Sequence, residues 1–263
     1  MSILLAFFGF TLLSAGVVLT KAGSPWMKRN GRKESGFYRY LAIWLSGLLL
    51  YNLAMIPNGI ASKTLPPHIV SAISGWGIIV IIILSYFFLK EKVFLSDLIY
   101  SIMIIAGIII LNVAEKPAEV EHLDKTAFYI LLSIPFLILL PALIKNIGFK
   151  VKTVLFSIFA GCLGGFTLVI MNIVVKEHGY DIISYFSTPY PYLYMLAGFS
   201  AFIALQLAMR WGDMMVVGPL QNSFIIIYPV ICSYFVSHSD LGVFQIAALV
   251  VIVYSCIAIL KKH

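Results

Sequence analysis

Residues 66–89 read PPHIVSAISGWGIIVIIILSYFFL, residues 90–93 read KEKV, and residues 94–114 read FLSDLIYSIMIIAGIIILNVA. A helical crossing of the bilayer core takes about 20 mainly apolar residues, and each of the two long runs meets that length. Lys90-Glu91-Lys92 is too charged to lie in hydrocarbon, so the stretch is two membrane helices joined at a water-facing turn. Outward from it, similar runs recur at 2–20, 40–62, 127–144, 153–175, 187–209, 214–236 and 241–260. The expected fold is therefore an all-α polytopic membrane bundle of about nine transmembrane helices. Its connections are too short for a soluble catalytic domain.

Composition agrees, with 61% hydrophobic residues, 11% charged residues and a mean hydropathy of +1.01. The net charge of +7 reads as topology rather than as affinity for nucleic acid, because the basic residues are segregated. Following the nine runs alternately across the bilayer, one side receives 14 of the 18 Lys and Arg, among them Lys21, Arg39, Lys90, Lys92, Lys150, Arg210 and Lys262. The other side receives seven of the eleven acids, including Glu115, Glu119, Glu121 and Asp124. The positive-inside rule then places the N-terminus outside and the C-terminus inside, and the expected location is a prokaryotic cytoplasmic membrane. The first run has its charges after it and no small-residue cleavage site, so it is expected to remain as a helix. Cys162, Cys232 and Cys256 all fall within helices, without CxxC spacing, and are expected to be packing residues.

The chain has the rhythm of a duplicated unit. Sliding it by 147 residues places Lys63 on Arg210, Val70 on Val217 and the charged break at Glu91 on His238. Residues 1–114 then form a first half, 115–150 a link containing the fifth helix, and 151–263 a second half. With an odd number of crossings between them the halves are inverted, an arrangement common in secondary transporters. Gly161 and Gly165 form a GxxxG that suits close helix packing. Pro57 and Pro219 interrupt helices 2 and 8, where a missing N–H frees a carbonyl, and are candidates for gating.

No HExxH, GxSxG, phosphate-binding glycine loop or metal-spaced His/Cys/Asp cluster occurs, so an enzyme is not expected, and no cofactor or resident metal is called for. Polar residues at membrane depth are costly and point to function. Here they are Asn52 and Asn58 on helix 2, Ser74 on helix 3, Asn172 on helix 6, Gln206 on helix 7, and Gln221 and Asn222 on helix 8. The 147-residue offset brings Ser74 onto Gln221, so both are expected to face one midplane cavity. Carboxamides donate and accept, which suits a polar, hydrated or zwitterionic substrate, while their alternative use is to join helices by hydrogen bonds.

With these residues in view, the chain resembles the drug/metabolite transporter (EamA-like) superfamily, and within it the NIPA-type magnesium transporters. The nearer resemblance rests on Asn58, Ala61, Pro66, Val70 and Gly75, on Phe88-Leu89-Lys90-Glu91, on Tyr190-Pro191, and on Val217-Gly218-Pro219. It departs from that family at Met55, where the aligned family residue is acidic, and at Gln221-Asn222, where the family has a Tyr pair. The resemblance implies an alternating-access bundle with a central cavity lined by helices 2, 3, 7 and 8. The expected substrate is a small polar metabolite or cation. Magnesium is the first alternative and a lipid carrier, moved by a flippase, the second. The expected partners are that small molecule or ion and membrane lipid. The oligomeric state, a homodimer among the options, stays open.

Overall fold

The computed structural model describes residues 2–27, 36–65, 67–114, 124–143, 147–178, 187–236 and 242–262. The basic run Lys28–Lys33 and the acidic residues 115–121 lie outside these, as does the side chain of Asn172. The described residues form eleven α-helices and no strand: α1 Ser2–Gly23, α2 Phe37–Leu53, α3 Met55–Thr64, α4 Pro67–Ser74, α5 Trp76–Leu84, α6 Leu95–Ala114, α7 Lys125–Leu139, α8 Phe149–His178, α9 Tyr190–Trp211, α10 Met214–Val236 and α11 Val243–Lys262. Seven helical stretches are long and apolar enough to cross a membrane, and Trp76–Leu89 and Thr126–Ala142 are shorter apolar ones. Together they account for the nine segments read from the sequence.

The differences lie at breaks and ends. The second segment is two helices joined at Ala54, three residues before Pro57. Pro57 has no N–H for the Leu53 carbonyl, and its ring crowds that oxygen, so the regular ladder is interrupted there. The third segment breaks at Gly75 and ends in one π-helical turn, Ser85–Leu89. Pro219, by contrast, bends no gap into its segment: α10 is continuous through it. α8, at 30 residues, is longer than the sequence indicated.

The chain forms two compact units. The first comprises Met1–Glu115, Met209–Pro219 and Gly242–His263. In it α1 lies along α2 and α3 on three glycines spaced by seven. A Cβ on Gly9 would fall 2.0 Å from Asn58 Oδ1, one on Gly16 2.7 Å from the Gly47 carbonyl oxygen, and one on Gly23 2.5 Å from the Trp44 nitrogen. At Gly16 and Gly23 only glycine allows this approach and the helices touch backbone to backbone, whereas Gly9 makes room for the Asn58 carboxamide. The Ser14 hydroxyl donates to the Gly77 carbonyl at 3.0 Å and ties α1 to α5. α6 and α11 pack on each other where Gly107 receives Ile252.

The second unit comprises Lys116–Ala208 and Leu220–Leu241. Asp124 caps α7, accepting from the Thr126 and Ala127 N–H groups at 2.8 and 3.1 Å. The core gathers Phe128, Leu131, Cys162, Phe166, Tyr228 and Cys232. The GxxxG of α8 meets α10. A Cβ on Gly161 would lie 2.6 Å from the Gln221 carbonyl oxygen, and one on Gly165 2.7 Å from that of Ile225. All three cysteines are free and buried.

Candidate functional site

The sequence-derived polar residues divide between the units. Asn52, exposed on α2, donates its Nδ2 to the Leu48 carbonyl at 2.8 Å, a bond within its own helix. Asn58, half-buried on α3, rests its carboxamide against Gly9 of α1. Ser74 is half-buried at the end of α4, and Pro57 is buried. These belong to the first unit. In the second, Gln206 is 6% exposed on α9, and Gln221 and Asn222 are half-buried on α10. Ser223, beside them, is fully buried. Asn172 is on α8, its side chain outside the described residues. Pro219 is buried and is the last residue of α10 that belongs to the first unit, with Leu220 opening the second unit's share. Within its own unit, then, Asn58 is joined to α1, and Gln221 to α8 through its backbone.

Sequence reading did not anticipate a polar cluster of the first unit that joins three of its segments. It lies where the end of α1, the turn after α5 and the turn before α10 meet. Lys90 ends the π-helical turn in the left-handed region, φ 54°, a conformation that non-glycine residues adopt at a cost of about 1–2 kcal/mol. Its N–H and that of Glu91 both return to the Ser85 carbonyl. This turn delivers the Glu91 carboxylate to the start of α10, where Oε1 accepts from the Met214 N–H at 3.0 Å and Oε2 from the Met215 N–H at 3.2 Å. An anion suits that place because the first N–H groups of a helix lack helical partners and carry its positive dipole end. Lys21 completes the cluster. Its ammonium pairs with Glu91 and donates to the Gly212 carbonyl at 2.7 Å.

The side chains of Lys21 and Glu91 are 13% and 9% exposed. They stand at the edge of a cleft of about 460 Å³ that also touches Ser24, Arg210, Trp211 and Asp213. The signal available in the sequence was an acid, Glu91, held between two lysines at the basic end of the bundle. The last helix reports the same end, since Lys262 donates to the Ser96 hydroxyl and sits 4.8 Å from the Phe94 ring centre.

Among the described residues no group of three or more His, Cys, Asp or Glu is placed to hold a metal ion. The spans offer carboxamides and hydroxyls instead.

The family model described as magnesium transporter NIPA aligns with residues 1–176, from α1 nearly to the end of α8, and so takes in Lys21, Asn58 and Glu91. No curated protein and no solved structure matches the chain. Membrane-length apolar helices and a family match over more than half of its length agree, and the chain belongs to the NIPA magnesium transporter family of integral membrane proteins.

Proposed function

We propose that this transporter carries magnesium, as an ion that keeps much of its water, by alternating access of two inverted halves. The family match over residues 1–176 carries this reading. Magnesium dehydrates reluctantly and is commonly held through several of its waters, so donors and acceptors suited to a hydration shell fit it. Asn58, Ser74, Asn172, Gln206, Gln221 and Asn222 are such groups. The reading gives them, and Asn52 with them, substrate contact, and gives Pro57 and Pro219 the bending points.

The inverted arrangement of residues 1–114 and 151–263 is supported by α6 and α11, the closing helices of the two halves. Elements related by a pseudo-two-fold axis can touch each other only beside that axis, and these two are packed together. Three buried positions of α6 also fall on buried positions of α11 at the 147-residue offset, Ser101 on Ala248, Ile108 on Ser255 and Asn112 on Ile259, while Asp97 and Gly107 fall on the exposed Phe244 and Tyr254. The meeting of Lys21, Glu91 and Arg210 at one cleft, all assigned to the inner side by charge, supports an outside N-terminus and an inside C-terminus.

Uptake into proteoliposomes tests the function, comparing magnesium with amino acids, amines and nucleosides, each with and without a proton gradient. Saturable magnesium uptake is expected. Uptake of an organic solute with no magnesium flux would replace this reading with a metabolite carrier.

A further inference from the structure

We propose that Lys21 and Glu91 form a latch that closes the basic end of the transport path and breaks once in each cycle. The inference rests on the transport reading above, and on a junction that no packing role by itself requires.

One carboxylate there joins three segments far apart in sequence. It pairs with the last turn of α1, it is carried by the turn after α5, and it caps the first turn of α10. Lys21 also donates to the Gly212 carbonyl, so withdrawing its ammonium frees the end of α1 from the turn after α5 and from the turn before α10 at once. The pair is shielded enough to hold but borders the cleft, so water can solvate both charges when they part. Holding it uses strain, because Lys90 adopts its left-handed conformation to bring Glu91 beneath α10.

The capped segment opens a buried helix. Met214 and Met215 give their N–H groups to Glu91, Val216 and Val217 give theirs to the Asp213 carbonyl, and α10 runs on through Pro219. Glu91 therefore holds the first turn of α10 whether or not Lys21 is beside it, and the ion pair is the part of the junction that can open while the cap stays.

Lys21→Met separates the latch from the cap, since it removes the ammonium and leaves Glu91 its two N–H donors. The readout is a cysteine at Ser24, in the cleft, placed in a chain whose Cys162, Cys232 and Cys256 are replaced by alanine. It is labelled with a membrane-impermeant maleimide in inside-out vesicles. K21M should label faster by about fivefold or more, the lower end of ordinary coupling effects, and K21R should stay at the parent rate. Should K21M fail to fold, Lys21→Gln carries the same test. A neutral variant that folds and labels at the parent rate overturns the latch, and so does K21R behaving like K21M. Labelling needs no substrate, so the two readings fail separately. Faster labelling in a protein that moves no magnesium sinks the magnesium reading alone, and unchanged labelling in a protein that moves it sinks the latch alone.

Discussion

The Tyr228 hydroxyl on α10 donates to the carbonyl oxygen of Leu131 on α7, four residues before Pro135. In an unbroken helix that oxygen would accept from the N–H of residue 135, and proline has none. An unsatisfied carbonyl within a bilayer costs several kcal/mol, so α7 tolerates its proline because another helix supplies the missing donor. Tyr228→Phe should therefore destabilise the protein by about 1–2 kcal/mol. Pro135→Ala should remove most of that penalty, since alanine restores the helical bond. Thermal unfolding of the two single variants and the double variant in detergent measures the coupling, and strictly additive effects would refute it.

Gly161 and Gly165 should tolerate less than their neighbour. An added methyl at either would lie 2.6–2.7 Å from backbone oxygens of α10, whereas one on Gly164 would meet the Ile225 side chain at 3.2 Å, which can move aside. Gly161→Ala and Gly165→Ala are each expected to cost about 1–3 kcal/mol, with Gly164→Ala near neutral. Equal losses at all three positions, read from midpoint temperatures, would contradict the packing described for α8.

Lys90→Gly should raise stability by up to about 1 kcal/mol, because glycine adopts the left-handed region without the steric penalty and gives back part of the gain as unfolded-chain entropy. A lower midpoint temperature would show that the lysine side chain, rather than the turn alone, maintains Glu91 in place.

Met55 is 63% exposed at the start of α3, the position at which the resemblance to the family leads one to expect an acid. Met55→Glu is expected to raise magnesium flux by drawing the cation toward the path. Gln221→Leu and Asn222→Leu are expected to cut it by about tenfold, the equivalent of about 1.4 kcal/mol of lost interaction. Initial uptake rates at several magnesium concentrations test all three. Leucine variants that transport like the parent would leave the two carboxamides as joints between helices.

The parts of this protein that were legible in its sequence are those set by the solvent. Lipid demands long apolar runs and segregates the lysines and arginines, so the segments around Gly77, Gly107 and Gly161 could be located, and the GxxxG of α8 could be given its packing role. What was not legible depends on contacts between distant segments. Nothing local to Glu91 says that its two oxygens fit the start of α10, and nothing near Tyr228 points to the carbonyl freed by Pro135. The glycines at 9, 16 and 23 were a missed signal, since an interval of seven on one helix marks a single face. Pro219 was over-read as an interruption, because a membrane helix can continue through a proline when its freed carbonyl is accommodated.

That row of glycines on α1 has a mechanical consequence. Gly16 is the place on its turn where α2 can come so near, and a shift of α1 by one residue along the common axis would drive the Cβ of Ala15 or Val17 into the backbone at Gly47. The first helix is keyed to its neighbour like a notched bar, so α1 and α2 travel as one body, and Lys21 sits near one end of it.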